Sequence, residues 1–257
     1  MINWQHLLMA APLVLAICTA LAGALSKRSV GKNLATIAAA LGFVATAGII
    51  VVRGIQVDHL PLGSGLDFCL WLCAVLFLFN ILLLRRLQLP AVSVLLSLMV
   101  GILGAWLLSQ NQTVTPMAPA LRSPWLSVHV LSAMFSYSVL TVSFVLSAVI
   151  AARPEDSTTI KLDEWAYRLV LLGLPLLTVM LVTGSVWAEY AWGSFWSWDW
   201  KEVWALVTWL VYALYLHLRV SGWRNKKAAV LNILGFAVVV FTFFGVSYLL
   251  PGLHSYL

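Results

Sequence analysis

The stretch WAEYAWGSFWSWDWKEVW, residues 187–204, joins two strongly apolar segments and decides how the rest of the chain is organised. It contains six of the chain's 13 tryptophans. A connection that only links two membrane spans is typically short and rich in Gly, Asn or Ser. This connection is aromatic instead, which indicates a role beyond joining its neighbours.

The composition of the chain is that of a membrane protein. Of the 257 residues, 62% are hydrophobic and 9% are charged, whereas roughly a quarter of the residues of a soluble domain are charged. The apolar runs suit helices that cross a hydrocarbon core of about 30 Å better than barrel strands of about 10 residues. We therefore predict an all-α integral membrane protein with about eight transmembrane helices. The predicted spans are His6–Leu25, Leu34–Val52, Cys69–Leu84, Pro90–Ser109, Trp125–Ala151, Leu169–Trp187, Glu202–Leu218 and Ala229–Leu250.

The distribution of positive charges predicts the orientation of these spans. No Lys or Arg precedes the first span, and Lys27, Arg28 and Lys32 follow it, so we expect an uncleaved span with the N-terminus outside. Alternation from there places 12 Lys and Arg residues inside and three outside, in agreement with the positive-inside rule. Both termini and the Trp-rich connection are then extracytoplasmic. The net charge of +6 reflects this topology rather than a nucleic-acid-binding surface.

Functional residues are unevenly distributed in what we predict to be a single polytopic membrane domain, residues 1–257. Residues 1–108 form a predicted four-helix scaffold with few ionisable groups, and residues 109–257 hold most of the candidate site. The segment Arg53–Asp67 contains Pro61 and three glycines, which predicts an irregular outer connection. His59 lies in it and is interpreted as a solvated loop residue. All three cysteines lie within predicted spans, so no disulfide framework is predicted.

Three histidines lie near predicted membrane boundaries. Ser123 and Pro124 have the pattern of a helix N-terminus, and His129 follows one turn later. His254 comes after the last span, also on the predicted outer side, whereas His217 lies near the inner end of the seventh span. Ionisable groups at membrane depth are costly and tend to be functional. A histidine at an interface can also extend to water, so both interpretations remain open.

The tryptophans of the connection recur at every fourth residue: Trp192, Trp196, Trp200 and Trp204. On a helical segment they would form a stripe of indoles on one face, a surface that suits a large, flat, apolar ligand. The alternative is an aromatic belt, because Trp and Tyr accumulate at membrane interfaces. A belt explains scattered tryptophans better than six in one connection.

Two histidines near a cluster of indole rings suggest haem as the flat ligand. Haem iron accepts axial imidazoles, the macrocycle stacks on aromatic rings, and the propionates pair with cations. Arg122 and Lys201 are the predicted outer cations nearest these elements and are candidate propionate contacts. Each histidine can instead be an ordinary helix-end residue, and Lys201 can simply anchor its helix.

The segment WGSFWSWD, residues 192–199, resembles the tryptophan-rich "WWD" signature of the haem-handling superfamily of CcmC, CcmF and CcsA (ResC). The flanking segments LRSPWLSVHVLSAMFSY, residues 121–137, and GVSYLLPGLHSYL, residues 245–257, are similar to the CcsA family in particular. The resemblance is strong over residues 118–257 and weaker before, where PLGSGLDFCLWL, residues 61–72, resembles an outer loop of the family.

The resemblance implies a haem transporter that is a subunit of a cytochrome c haem synthase. Haem b, its transported substrate, passes from the cytoplasmic side to the outer Trp-rich site and is attached by thioether bonds to the CxxCH motif of an apocytochrome c. The implied partners are the membrane subunit CcsB (ResB), which supplies a second membrane histidine, the apocytochrome and thiol-reducing proteins. The implied location is a bacterial cytoplasmic membrane or a thylakoid membrane.

Carried over position by position, the resemblance assigns roles to residues of this chain. His129 and His254 become the outer axial ligands of the haem iron, and His217 becomes the histidine of the membrane site. The binding platform comprises Trp192, Gly193, Trp196, Trp198 and Asp199. Trp200 stands where the family usually has proline, so we expect a different start of the seventh helix.

Two alternatives share the fold. One is a CcmC-like factor that delivers haem to a chaperone and forms no thioether, and the other is a non-catalytic scaffold in haem metabolism. The eight spans and the terminal LHSY, residues 253–256, favour the synthase subunit. A small-solute transporter would show paired acids or broken helices at mid-membrane, which this sequence lacks.

Overall fold

A computed structural model of the chain describes residues 4–25, 29–86, 89–110, 122–250 and 252, without the side chains of residues 4–7 and 29. All regular secondary structure in these residues is helical. The elements are α1 (Trp4–Ala24), α2 (Ser29–Val57), α3 (Gly65–Arg86), α4 (Pro90–Ser109), α5 (Pro124–Ala152), α6 (Ser157–Trp192), α7 (Trp200–Val220), α8 (Asn225–Val240), a π-helical turn (Phe241–Gly245) and α9 (Val246–Leu249).

The helices are long and apolar, as a multi-pass membrane protein requires. Seven helical segments of the described chain are long enough to cross a membrane when α8, the π turn and α9 are taken together, and α1 adds the shorter apolar stretch Leu8–Ala24. Each of the eight predicted spans overlaps a helical segment of the structure, which confirms the all-α membrane fold. The orientation of the helices in the membrane stays a prediction.

The chain forms two compact units, Met1–Met117 and Ala118–Leu257. In the N-terminal unit, α1 packs against α2 and α4, and α3 packs against α2 and α4. A buried ion pair between Arg53 Nε and Asp67 Oδ1, 2.8 Å long, joins the end of α2 to the start of α3. Within the same unit, the Asn80 amide donates to Ser97 Oγ at 2.8 Å and links α3 to α4.

The C-terminal unit is built around α5, which packs against α6 and α8. Serine hydroxyls on α5 donate to backbone carbonyls of α6, Ser136 to Gly173 and Ser143 to Ala166, each at 2.9 Å. Such small side chains let two membrane helices approach closely. The buried Asn232 amide of α8 donates to Ser143 and Ser147 of α5, so polar contacts fix all three helices.

Several predicted boundaries are wrong because charged residues extend helices instead of ending them. Helix α6 begins at Ser157 rather than near Leu169, and the Asp156 side chain caps it by accepting from the Thr159 N–H at 2.7 Å. Helices α2 and α3 also reach further than predicted, so the irregular segment between them shrinks to residues 58–64.

The Trp-rich connection is shorter than predicted. Helix α6 continues to Trp192 and α7 begins at Trp200, so only residues 193–199 lie between them. We call these seven residues the Trp loop. The other tryptophans of the stretch belong to the two flanking helices.

Candidate functional site

The Trp loop begins at Gly193, where α6 ends in a left-handed conformation. Gly193 has a φ of 74°, and its N–H donates to the Glu189 carbonyl at 2.9 Å. A Cβ at this position would meet nothing within 4 Å, so the backbone conformation and not space requires glycine. The first residue of the loop therefore fixes the direction in which the chain leaves α6.

The loop ends in a capping box at the start of α7. Asp199 Oδ1 accepts the Lys201 N–H at 3.0 Å. The Glu202 carboxylate reaches back and accepts from the Ser197 N–H at 2.8 Å, the Ser197 hydroxyl at 3.1 Å and the Asp199 N–H at 3.2 Å. Glu202 was not among the predicted site residues, although the spacing Asp-x-x-Glu before an apolar run is a recognisable capping signal. The helix starts at Trp200 without the proline of the related family.

The indoles form two edge-to-face pairs rather than one stripe. Trp192 packs against Trp187 at 4.8 Å, and Trp196 packs against Trp198 at 5.9 Å between ring centroids. The expectation of a stripe on one helical segment is wrong, because Trp192 ends α6 and Trp196 lies in the loop, whereas only Trp200 and Trp204 lie on α7.

Two tryptophans of the loop have unusual surroundings. Trp196 Nε1 is buried and has no hydrogen-bond partner among the described residues. A buried N–H without an acceptor is costly, and such groups commonly serve a ligand. Trp198 has a φ of 60° and its side chain is 74% exposed. The loop thus presents one broad apolar face and one buried N–H donor.

His129 lies on α5 and is held against α6. Its Nδ1 is 2.8 Å from the Met180 carbonyl oxygen, 51 residues further along the chain. Since a carbonyl only accepts, Nδ1 carries the proton, and Nε2 becomes the nitrogen that can coordinate a metal. Gly184 makes room for the ring, because a Cβ there would lie 2.5 Å from Nδ1. Orientation of an imidazole by a backbone carbonyl is the usual arrangement for a metal-binding histidine.

The other predicted site residues lie in different places. His217 is exposed in the last turn of α7, about 26 Å of helix away from Trp200, so the structure does not bring it to the Trp loop. Arg122 is exposed just before α5. His254 lies outside the described residues.

Lys201 lines a small pocket beside the loop. The pocket is formed by Asp199, Trp200, Lys201, Val246, Ser247, Leu250 and Gly252. Gly252 lies directly on the Asp199 carboxylate, because a Cβ at Gly252 would be 2.3 Å from Asp199 Oδ2. Gly252 thus lies against the residue that caps the start of α7.

The side chains around the Trp loop and His129 suit a metal that is already coordinated by its own ligand rather than a bare metal ion. No cluster of three or more His, Cys, Asp or Glu side chains capable of holding a bare metal ion occurs among the described residues. Haem needs only axial ligands from the protein, because its macrocycle supplies four nitrogens. Haem can use each of these groups: an oriented imidazole can bind the iron, and indole rings can stack on the macrocycle. A buried N–H and a lysine can contact the propionates.

The fold defines a polytopic helical membrane protein. The sequence model of the family described as "Cytochrome C assembly protein" matches residues 64–254, well over half of the chain. The chain belongs to this family, and membership assigns it to cytochrome c assembly.

Named relatives agree with this assignment, and a solved structure shares the fold. Proteins named cytochrome c biogenesis protein CcsA are 37% identical in Chlamydomonas reinhardtii, 33% in Cyanophora paradoxa and 36% in Prochlorococcus marinus. In the same order, these matches cover 81%, 81% and 80% of this chain. They cover 64%, 82% and 79% of the relatives. The chain therefore spans slightly less than two thirds of the Chlamydomonas protein. The structure of the cytochrome c haem lyase CcmF has a TM-score of 0.63 at 18% identity. That match covers 93% of this chain and 44% of the lyase, and it shows a shared fold.

Proposed function

We propose that this chain carries haem across the membrane and presents it on the extracytoplasmic side for covalent attachment to an apocytochrome c. His129 and His254 hold the iron, and the Trp loop holds the macrocycle. The vinyl groups then face the thiols of a CxxCH motif. The cargo is haem b, and the membrane is a bacterial cytoplasmic or a thylakoid membrane.

The oriented imidazole of His129 carries this proposal. The hydrogen bond from Nδ1 to the Met180 carbonyl selects the tautomer in which Nε2 can bind iron. A histidine that only filled space at a helix end would not need a glycine on the neighbouring helix to admit its ring, as Gly184 does.

Chain geometry supports His254 as the second ligand. Gly252 packs on Asp199, which caps α7 at the end of the Trp loop. His254 is the second residue after Gly252 in the sequence, and two residues of chain span at most about 7 Å. In this proposal, His254 follows Gly252 closely enough along the chain to reach the loop that we assign to the macrocycle.

The haem periphery has two kinds of candidate partner. The Trp196 N–H is buried without an acceptor among the described side chains and suits a propionate oxygen. Lys201 lies in the pocket next to Asp199 and supplies a positive charge, and Arg122 at the start of α5 supplies a second. Charge-assisted contacts of this kind fix the orientation of an anionic ligand.

Thioether formation needs positioning rather than acid–base chemistry from this chain. A thiol adds across a vinyl group: the C–S bond forms, the proton moves to the other vinyl carbon, and no electrons are exchanged with another molecule. Holding the vinyl groups beside the thiols reduces the entropic barrier of this addition. Thiol-reducing proteins keep the CxxCH cysteines reduced.

His217 belongs to a separate site at the other end of α7 in this proposal. It is exposed on the helix and lies in the last turn. An imidazole there can share haem with a histidine of a membrane partner, the CcsB subunit, before transfer to the Trp loop. The two sites then correspond to successive positions of haem along the membrane normal.

Covalent haem attachment in cells tests the proposal. The chain is produced with a CcsB-type partner and an apocytochrome c in cells that lack their own maturation system, and attached haem is detected on the denatured cytochrome. We expect His129→Ala and His254→Ala to abolish attachment at unchanged membrane levels. The neighbouring substitution Val128→Ala is the control and should retain it. Full attachment with both histidine variants would overturn the proposal.

A further inference from the structure

We propose that residues 223–227, where α7 is followed by α8, bind the headgroup of an anionic phospholipid at the membrane surface. This segment, which we call the basic turn, has the sequence WRNKK. It lies at the end of two membrane-spanning helices, on the predicted inner side. Binding of lipid here is independent of haem and of the proposed function.

Hydrogen bonds hold the basic turn against its neighbours. Arg224 Nη1 donates to the Trp223 carbonyl at 2.8 Å and to the Arg219 carbonyl at the end of α7. The Asn225 amide donates to the Glu155 carboxylate, which lies between α5 and α6. The cations of the turn are therefore carried by a fixed backbone, and a ligand does not have to order the segment.

The positive charges of the turn are not neutralised by the protein. Arg224, Lys226 and Lys227 are exposed, and none of them forms an ion pair with an acid of the described residues. Glu155, the acid that contacts the turn, accepts from the uncharged amide of Asn225. Three positive charges thus stand against one carboxylate, and an anion is the ligand that complements this surface.

The other acids of residues 153–168 are already engaged. Asp163 forms an ion pair with Arg219, and Asp156 caps α6. Glu164 pairs with Arg168 at 2.9 Å. Any of these acids would have to break an existing contact to reach the basic turn. The counter-charge therefore has to come from outside the protein.

A lipid headgroup fits this surface better than a free anion does. Trp223 is 38% exposed, and an indole at the end of a membrane helix lies at the depth of the headgroups. Guanidinium and ammonium groups donate to phosphate oxygens, while the indole packs on the glycerol and the first acyl carbons. Basic segments beside membrane helices bind anionic lipids in this way. Inorganic phosphate would make no use of the indole.

Two arginines at the end of α3 provide a matched control. Arg85 and Arg86 are exposed in the last turn of that helix, on the same predicted side of the membrane. Cations at a helix C-terminus are stabilised by the helix dipole, and no aromatic residue is adjacent to them in the sequence. This pair carries the same kind of charge but lacks the third cation and the tryptophan of the basic turn.

A lipid titration of the full-length protein is the test. The protein is purified in a neutral detergent, phosphatidylglycerol is added, and native mass spectrometry gives the dissociation constant of the first bound lipid. Wild type is compared with three double variants: Lys226→Gln with Lys227→Gln, Lys226→Arg with Lys227→Arg, and Arg85→Gln with Arg86→Gln. Phosphatidylcholine and inorganic phosphate are tested as competitors.

We expect wild type to bind phosphatidylglycerol and neither competitor to displace it. Each basic residue near a membrane surface contributes about fivefold to the affinity for anionic lipid, so the variant with two glutamines in the basic turn should bind about 25-fold more weakly. The variant with two arginines keeps the charge and should bind as wild type does. The α3 variant should also bind as wild type does.

Unchanged affinity in the basic-turn glutamine variant, or an equal loss in the α3 variant, would overturn the proposal. Displacement by inorganic phosphate would show a general anion site and overturn the assignment to lipid. If the glutamine variant does not accumulate, the competition experiment on wild type decides, because displacement by phosphatidylcholine would equally exclude a site for anionic lipid.

Discussion

The imidazole of His129 depends on two residues of α6 that have no chemistry of their own. The Met180 carbonyl accepts its Nδ1 proton, and Gly184 leaves the space that the ring occupies. The histidine and its Ser123 cap are visible in the sequence, and the cap is confirmed by the acceptance of the Trp125 N–H by the Ser123 side chain. Its partners on α6 could not be predicted from the sequence, because Met180 contributes only its backbone carbonyl and Gly184 only the space left by its missing side chain.

Gly184→Ala tests this support. The new Cβ would overlap the His129 ring and displace it from the Met180 carbonyl. Loss of such an orienting contact typically weakens metal binding about tenfold to a hundredfold. We expect weaker haem binding by that factor in a titration of the purified protein, with Gly48→Ala unchanged. Equal affinity of wild type and Gly184→Ala would show that the contact does not orient the ligand.

At the scale of elements, α4 was predicted to the residue, whereas α6 and the Trp loop were not. Lys161, Asp163, Glu164 and Arg168 made the start of α6 look like a polar connection. Asp163 is buried in an ion pair with Arg219 of α7. The other three charged residues lie on the exposed face of α6, which begins well before the apolar run. The π turn was also not predicted, because it depends on packing between α8 and α7 rather than on local pattern.

The capping box of α7 is expected to keep the Trp loop ordered. Glu202→Ala removes three hydrogen bonds to residues 197 and 199. A lost N-terminal cap costs about 1 kcal/mol. We expect faster amide hydrogen exchange at Ser197 and Asp199, measured by mass spectrometry in detergent. Glu189→Ala changes a carboxylate at the other end of the loop and should leave these amides unaffected. The same protection in wild type and Glu202→Ala would mean that other contacts order the loop.

The buried ion pair between Asp163 and Arg219 is expected to fasten α6 to α7. Arg219 Nη1 lies 2.7 and 2.6 Å from the two Asp163 oxygens, and the side chains are 6% and 2% exposed for Asp163 and Arg219. Asp163→Asn leaves a buried cation without its counter-charge, a change that costs about 3–5 kcal/mol. We expect a clearly lower Tm in detergent.

Two controls make the Asp163 result specific. The pair between Glu164 and Arg168 is 50% and 64% exposed, so Glu164→Gln should change stability by less than about 1 kcal/mol. The double variant Asp163→Leu with Arg219→Met removes both charges and should recover much of the lost stability. An unchanged Tm in Asp163→Asn would contradict the role of the pair.

For the whole molecule, composition and hydropathy were sufficient to predict an all-helical membrane fold, and charge counting predicts its orientation. With 12 positive residues assigned inside and three outside, the Trp loop is predicted to face the extracytoplasmic side. The arrangement of the site within the fold was less accessible, since it depends on where helices end and on which faces meet.

Cysteine labelling tests the orientation. In a background with Cys18, Cys69 and Cys73 replaced by alanine, Ser194→Cys places a thiol in the Trp loop and Lys226→Cys places one at the start of α8. We expect a membrane-impermeant thiol reagent to label intact cells only at position 194 and inverted vesicles only at position 226. The reverse labelling pattern would show that the topology is inverted. The Trp loop would then lie on the opposite side of the membrane from the proposed site of haem attachment.

The absorption spectrum of the purified protein reports directly whether His129 and His254 hold the haem iron. Wild type, His129→Ala and His254→Ala are produced with the partner subunit, purified in detergent and measured in the reduced state. We expect a low-spin haem spectrum in wild type that becomes high-spin or disappears in each variant. A wild-type protein that copurifies without haem, or low-spin spectra that persist in both variants, would contradict it.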